Sequence, residues 1–162
     1  MYQKKTAYLG VFAAVAIIFG YVESLFPFFA GIPGIKLGLA NLAVLYILEK
    51  YTWKEAALVS AVRILVIGFL FGNMFSILYS LAGAALSLAV MTLMKKRSGF
   101  SILGVSVSGG VSHNIGQLIV AALIVENAAF LYYAPVLIIS GVITGLLIGL
   151  LTREVAKRIP DL

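Results

Sequence analysis

The chain has 162 residues, of which 62% are hydrophobic and 11% are charged, and its formal net charge is +6. A soluble domain is usually about 45–50% apolar and about 25% charged, so a fold of this size could not bury so much apolar surface in water. The composition excludes a water-soluble globular protein and a disordered chain, and it favours helices that cross a bilayer.

Apolar segments separated by helix breakers predict six transmembrane helices. The predicted spans cover residues 6–26, 37–48, 55–71, 74–94, 102–125 and 129–151. The expected fold is therefore an all-α integral membrane bundle, with residues 1–162 forming a single domain in contact with the lipid bilayer.

Positive charges in the connecting segments predict the orientation of the bundle. Of the 12 Lys and Arg residues, ten lie on one side, Lys36 lies on the other, and Arg63 lies within a span. The positive-inside rule then predicts cytoplasmic termini and a multi-pass protein of the inner (plasma) membrane. The net charge follows from this topology and from contact with anionic lipid, so nucleic acid is not an expected partner.

The second predicted span is too short to cross the bilayer. Its 12 residues would form a helix about 18 Å long, against a hydrocarbon core of about 30 Å. The preceding uncharged residues, 26–35, include two prolines and two glycines, and we expect them to enter the outer half of the bundle. The helix N-terminus, with Lys36, would then suit an anion at a cavity, unless Lys36 only extends to the outer interface.

Arg63 lies in the middle of the third predicted span, among apolar residues. A charge at the bilayer centre costs about 2.5–3.5 kcal/mol on insertion scales, so it must face the bundle and find a partner. An ion pair with Glu23 is the structural interpretation. Contact with an anionic ligand is the functional one.

A polar stripe runs along the fifth predicted span. Ser106, Gly110, His113 and Gln117 follow one another at intervals of four, three and four residues, so they share a helix face, with Asn114 beside them. Their amide and imidazole groups can donate and accept hydrogen bonds to a heterocycle or a sugar, or they can bond between helices.

Small residues recur in the sixth predicted span as Gly141, Gly145 and Gly149, which predicts close helix packing. The same ladder could contact a second copy of this chain or another membrane subunit, so a homodimer and an energising membrane subunit both stay open as partners. Tyr79 belongs to a group of aromatic residues in the outer half, which could stack on a flat ligand or form an interfacial belt.

Motifs for catalysis are missing. Asp161 is the only aspartate, so the aspartate-rich motifs with which prenyl synthases hold magnesium cannot be formed. The sequence has no phosphate-binding loop, no Ser-His-Asp or Cys-His set and no metal ligand cluster. We therefore expect no enzyme, no catalytic cofactor and no metal site, but a protein that binds or transports a small molecule.

Four sequence blocks resemble a known family. They are residues 32–41 (IPGIKLGLAN), 75–83 (FSILYSLAG), 113–117 (HNIGQ) and 132–137 (YYAPVL). In this order they look like the blocks of the Gx transporter family, also labelled heptaprenyl diphosphate synthase component I. The likeness extends from about Ala7 to Arg158.

The resemblance implies a fold and a cargo. The family is similar in size and span count to the substrate-binding (S) components of energy-coupling-factor vitamin transporters, six-helix proteins that bind a vitamin on the extracellular side. Its gene neighbourhoods imply a flavin such as FMN, FAD or riboflavin. The alternative is a non-catalytic membrane component associated with heptaprenyl diphosphate synthase.

A flavin is compatible with the residues singled out above, although a thiamine precursor or another phosphorylated vitamin would suit them almost as well. Lys36 and Arg63 would hold the phosphate, and aromatic residues such as Tyr79 would cover the ring. The groups expected to bind the pyrimidine edge are those of Asn41, Asn73, His113, Asn114 and Gln117.

Overall fold

The computed structural model describes residues 2–25, 37–97 and 99–159. Within these ranges the chain forms six α-helices and one 3₁₀ helix, and no strand. The α-helices are α1 (Tyr2–Leu25), α2 (Leu39–Lys50), α3 (Trp53–Phe71), α4 (Met74–Lys96), α5 (Ile102–Ile124) and α6 (Ala134–Arg158); the 3₁₀ helix (Ala128–Tyr133) precedes α6.

Four helical segments in the described ranges are long and apolar enough to cross a membrane. They are Lys5–Leu25, Met74–Lys96, Ile102–Ile124 and Ala129–Arg158. The expected class, an all-helical multi-pass membrane protein, is confirmed at this level. The count of six spans and the cytoplasmic position of the termini stay predictions.

The last predicted span differs from the structure at both ends. Its first residues form the 3₁₀ helix, and α6 begins at Ala134 with Pro135 in its first turn. Proline has no N–H to donate and has a helical φ, so it suits a helix start. The helix then continues to Arg158, because its last turn carries Lys157 and Arg158, which favour the negative end of the helix dipole.

Side-chain caps explain the sharp turns between neighbouring helices. Thr52 and Glu55 form a capping box at the start of α3, and Asn73 and Ser76 form another at the start of α4. The Ser101 hydroxyl accepts a hydrogen bond from the Gly104 amide at the start of α5. These caps satisfy the free amides of the helix ends, so short connections suffice.

The short helix α2 lies inside the bundle. Eight of its 12 residues are buried, and it packs against α1, α3 and α6. The ring of Tyr46 stacks on that of Phe12 from α1, with centroids 4.5 Å apart. A helix that is apolar on most sides is stable when neighbouring helices cover it, as here. The sequence predicted a 12-residue second helix over residues 37–48, and the structure has a helix of this length at Leu39–Lys50, two residues further along the chain.

The glycine ladder of α6 faces α5. A Cβ atom at Gly141 would lie 2.9 Å from the carbonyl carbon of Gly110, and one at Gly145 would lie 2.7 Å from the Cα of Val107. At Gly149 the same atom would lie 3.1 Å from the Cα of Leu103. The three glycines thus let the backbones of α5 and α6 approach each other. Because α5 already packs against these glycines, they are not exposed for close packing with a second copy of the chain.

Candidate functional site

A polar cavity of about 180 Å³ lies where α1 and α3 end and α2 and α4 begin. In the predicted orientation this is the outer end of the bundle. The described residues that line it with polar side chains are Glu23, Ser24, Asn41, Arg63, Ser76, Ser80, His113, Asn114, Gln117 and Thr144. The cavity therefore collects polar side chains from all six α-helices, with hydroxyl groups alone from α4 and α6.

The N-terminus of α2 lies at this cavity, as the sequence predicts. Gly38 precedes the helix with φ 75° and ψ 23°, a left-handed conformation that glycine adopts without strain. Oε1 of Glu23 accepts hydrogen bonds from the amides of Gly38 at 2.5 Å and Leu39 at 3.1 Å. The anion at this helix end is thus the carboxylate of Glu23, whereas sequence reasoning expected a ligand there. Lys36 and residues 26–35 lie outside the described residues.

Arg63 extends from α3 into the same cavity. Its Nη2 donates a hydrogen bond to Oδ1 of Asn41 at 3.3 Å. Its Nε is buried and has no hydrogen-bond partner within the described ranges. Glu23 and Arg63 line one cavity, but the hydrogen bonds of Glu23 go to backbone amides and that of Arg63 goes to an amide side chain. Both charges therefore keep capacity for a further partner.

The polar residues of α5 converge on the cavity, but their roles differ. Nδ2 of Asn114 donates to the carbonyl of Leu137 at 2.8 Å, which ties α5 to α6. Gln117 is only 5% exposed and lines the cavity. His113 lies against Gly83 of α4, where a Cβ would be 3.1 Å from its Nε2. The same Cβ would lie 2.7 Å from Cγ of Gln117, so the tight approach of α4 positions both side chains at the cavity.

Two of the residues selected from the sequence lie away from this cavity. Asn73 is exposed, and its Oδ1 accepts a hydrogen bond from the amide of Ser76 at 2.8 Å, so its side chain caps α4. It is not among the described lining residues. Tyr79 lines a different cavity, described next. An asparagine before an apolar run fits a helix cap as well as a ligand site, which is why the sequence did not separate the two.

A second cavity of about 240 Å³ lies between α4, α5, the 3₁₀ helix and α6. Its described lining is apolar and aromatic apart from one amide: Phe75, Tyr79, Gln117, Leu118, Ala121, Ile124, Val125, Phe130, Tyr133 and Leu137. Gln117 lines both cavities. Gln117 is thus the described side chain that the two linings have in common.

A third void extends the polar cavity inward. It measures about 30 Å³ and shares Gly38, Asn41, Gly110 and Thr144 with the polar cavity. Along α5 the two reach from Gln117 to Ser106, about 16 Å at about 1.5 Å per residue. Sequence reasoning did not select Thr144 or Ser80. The signal for Thr144 was its place beside Gly145, on the helix face that packs against α5.

A family model described as heptaprenyl diphosphate synthase component I matches residues 12–155. The chain belongs to this family. The match confirms the resemblance that the four sequence blocks indicate. No curated protein and no solved structure matches the chain.

The family description names a component of a synthase and so points to a partner protein. Metal-dependent prenyl synthesis needs clustered carboxylates. Among the described residues, no group of three or more His, Cys, Asp or Glu side chains is placed to hold a metal ion.

Proposed function

We propose that this protein is a non-catalytic component of the plasma membrane that binds a small organic anion in the polar cavity, as a transporter or as the binding subunit of one. The observation that carries the proposal is Arg63, whose cationic side chain lines the cavity and whose buried Nε has no hydrogen-bond partner among the described residues. Gln117, which is only 5% exposed, lines the same cavity.

Energetics favour a ligand over a purely structural role for Arg63. Holding a charge within a bilayer costs about 2.5–3.5 kcal/mol on insertion scales, and good pairing is needed to offset this cost. Among the described residues the guanidinium makes one hydrogen bond, to a neutral amide, and Glu23 attracts it without a hydrogen bond between the two. A carboxylate or phosphate could accept from the remaining N–H groups, and charge-assisted bonds of this kind are the stronger ones.

The resemblance stated above names a flavin as the class of ligand, and the amides and imidazole of the cavity support it by offering donors and acceptors to a heterocycle. The polar cavity alone is smaller than the usual ligand pocket of about 300–1,000 Å³. It therefore suits the phosphate and polar part of FMN better than the whole molecule. Energy for transport would come from an energising membrane subunit or from a gradient, since the sequence has no phosphate-binding loop.

Binding to the purified protein in detergent tests the proposal. FMN, FAD and riboflavin are added, and the thermal unfolding midpoint and the flavin absorbance retained after gel filtration are measured. We expect FMN to raise the midpoint, and Arg63→Gln to remove most of this rise. Arg153→Gln is the matched control, because Arg153 lies near the opposite end of the bundle with 46% of its side chain exposed.

Retention of the full FMN effect in Arg63→Gln would contradict the proposal. So would the absence of any thermal shift and any bound flavin in the unmodified protein.

The family description favours a second candidate, a membrane partner of a soluble prenyl diphosphate synthase. This candidate predicts that a tagged form of the chain co-purifies with an aspartate-rich synthase and raises its activity. Arg63→Gln should leave that association intact, because Arg63 lies in the cavity within the bundle. Arg63→Gln therefore distinguishes the two candidates: the first predicts a loss of the FMN effect, and the second predicts that the association with the synthase is unchanged.

A further inference from the structure

We infer that Asn41 is a positioning residue for Arg63: its neutral amide holds one nitrogen of the guanidinium and leaves the positive charge to an anion in the polar cavity. This inference rests on the proposed function, since it concerns the same site, and it adds the residue that sets the selectivity of the site for anions. It depends on how Asn41 is held, on its contact with Arg63 and on the contacts of Glu23.

Asn41 belongs to the first turn of α2, where its side chain has little room to move. Its backbone amide donates to the carbonyl of Gly38 at 2.8 Å, which closes this turn. A Cβ atom at Gly38 would lie 3.3 Å from Nδ2 of Asn41, so the backbone packs closely against the side-chain amide. Asn41 therefore presents its Oδ1 to Arg63 from a restrained position, and little side-chain entropy is lost when the bond forms.

The contact between Asn41 and Arg63 orients the guanidinium without neutralising it. Oδ1 of Asn41 accepts from Nη2 of Arg63 at 3.3 Å. A guanidinium is planar and carries five N–H groups in a fixed fork, so restraining Nη2 orients the remaining nitrogens. Nε of Arg63 is buried and has no hydrogen-bond partner in the described part of the chain. An anion in the polar cavity can therefore accept from nitrogens that Asn41 does not use.

Glu23, the carboxylate that lines the same cavity, is bound elsewhere. Its Oε1 accepts from the amides of Gly38 and Leu39, at the positive end of the α2 dipole. Glu23 attracts Arg63 electrostatically, but among the described residues no hydrogen bond joins the two. The start of α2 thus holds the carboxylate with its backbone amides and holds the guanidinium with a neutral side chain. Asn41→Asp would end this separation, because it would put a carboxylate directly on Nη2.

The variants Asn41→Asp and Asn41→Leu test the inference, and Asn127→Asp is the matched control. Asn127 is exposed, lies outside the described lining of the polar cavity and accepts from the Ala129 amide at 2.9 Å, a capping role that aspartate fills equally well. Affinities for FMN, which carries a phosphate, and for riboflavin, which does not, are measured by titration calorimetry in detergent. Thermal unfolding midpoints are measured without ligand.

We expect Asn41→Asp to lower the affinity for FMN at least about tenfold, because its carboxylate takes up the charge of Arg63 and repels the phosphate. The affinity for riboflavin should change much less, and Asn127→Asp should change neither. Without ligand, Asn41→Asp should lower the unfolding midpoint further in an Arg63→Gln background than in the unmodified chain, because the buried carboxylate then has no cationic partner.

Asn41→Leu removes the acceptor without adding a charge. We expect it to weaken FMN about threefold to tenfold and riboflavin little, because the guanidinium loses its restraint while keeping its charge. This variant also decides the inference if Asn41→Asp does not fold. An equal loss for FMN and riboflavin would overturn the inference, since Asn41 would then contact the ring directly, as the sequence predicted.

Unchanged FMN affinity in folded Asn41→Asp, or in Asn41→Leu, overturns the inference and leaves the proposed function standing. An effect of Asn41→Asp on the unfolding midpoint that is the same with and without Arg63 overturns it too. If the unmodified protein does not bind riboflavin, the comparison of Asn41→Asp with Asn127→Asp in FMN decides. Full FMN binding in Arg63→Gln, or none in the unmodified protein, contradicts the proposed function itself, and the inference falls with it.

Discussion

Replacing Glu23 tests how the short central helix is held in place. Its carboxylate accepts hydrogen bonds from the amides of Gly38 and Leu39, at the positive end of the α2 dipole. Glu23→Ala removes both bonds and the charge, and leaves these amides at the cavity without their acceptor. Glu23→Gln keeps an oxygen acceptor and removes only the charge.

The magnitude follows from these contacts. A hydrogen bond to a charged group contributes about 1.5–3 kcal/mol, and a charge at a helix end about 0.3–1 kcal/mol. The two bonds share one oxygen and water can enter the cavity, so the contributions do not add fully. We expect Glu23→Ala to lower the free energy of unfolding by about 2–4 kcal/mol and Glu23→Gln to lower it by about 1 kcal/mol.

The assay is reversible unfolding in detergent, followed by circular dichroism, with hydrogen exchange at the amides of Gly38 and Leu39. Glu126→Gln serves as the control, because Glu126 is an exposed carboxylate in the turn after α5. Exchange at the two amides should accelerate in Glu23→Ala and stay unchanged in the control. A change below about 0.5 kcal/mol in Glu23→Ala, the usual scatter for surface substitutions, would refute the reasoning.

Three further predictions concern other contacts. Gln117→Leu should weaken FMN binding, because it removes an amide that lines the polar cavity; an unchanged affinity would contradict this. Gly145→Ala should lower the thermal midpoint because its Cβ would meet the α5 backbone, whereas Gly10→Ala, with nothing within 4 Å, should not. Lys95→Met should cost about 1–2 kcal/mol in chemical unfolding, since Lys95 Nζ donates to the carbonyl of Glu49 at 2.8 Å at the end of α2; an unchanged midpoint would count against it.

Much of the membrane fold could be predicted from the sequence, because bilayer thickness and apolar composition constrain helix length and class. The short second helix was predicted from the proline and glycine residues before it and from the charges of Glu49 and Lys50 near its end. The glycine spacing of α6 likewise indicated a closely packed face. These are local signals, and they depend on neighbours in the chain rather than on neighbours in space.

The candidate site could be predicted only in part. Arg63 was singled out because a charge within an apolar span is costly wherever the helix packs. The sequence did not show that Glu23 bonds to the amides before α2, because the two segments are separated along the chain and their approach depends on how α1 packs. Nor did it assign Asn73 to a cap, since an asparagine that caps a helix and one that binds a ligand have the same local pattern.

The sequence by itself determined that this protein is a helical membrane protein of a recognisable family, with a short second helix and a charge within a predicted span. Only the tertiary structure decided which polar groups meet, which are already paired and which stay free. It brought Arg63 and Gln117 to one cavity, gave Asn114 a backbone partner and placed Tyr79 in an adjacent apolar cavity. The physical reason is that hydrogen bonding and burial depend on distances between helices, which periodicity along a single helix does not encode.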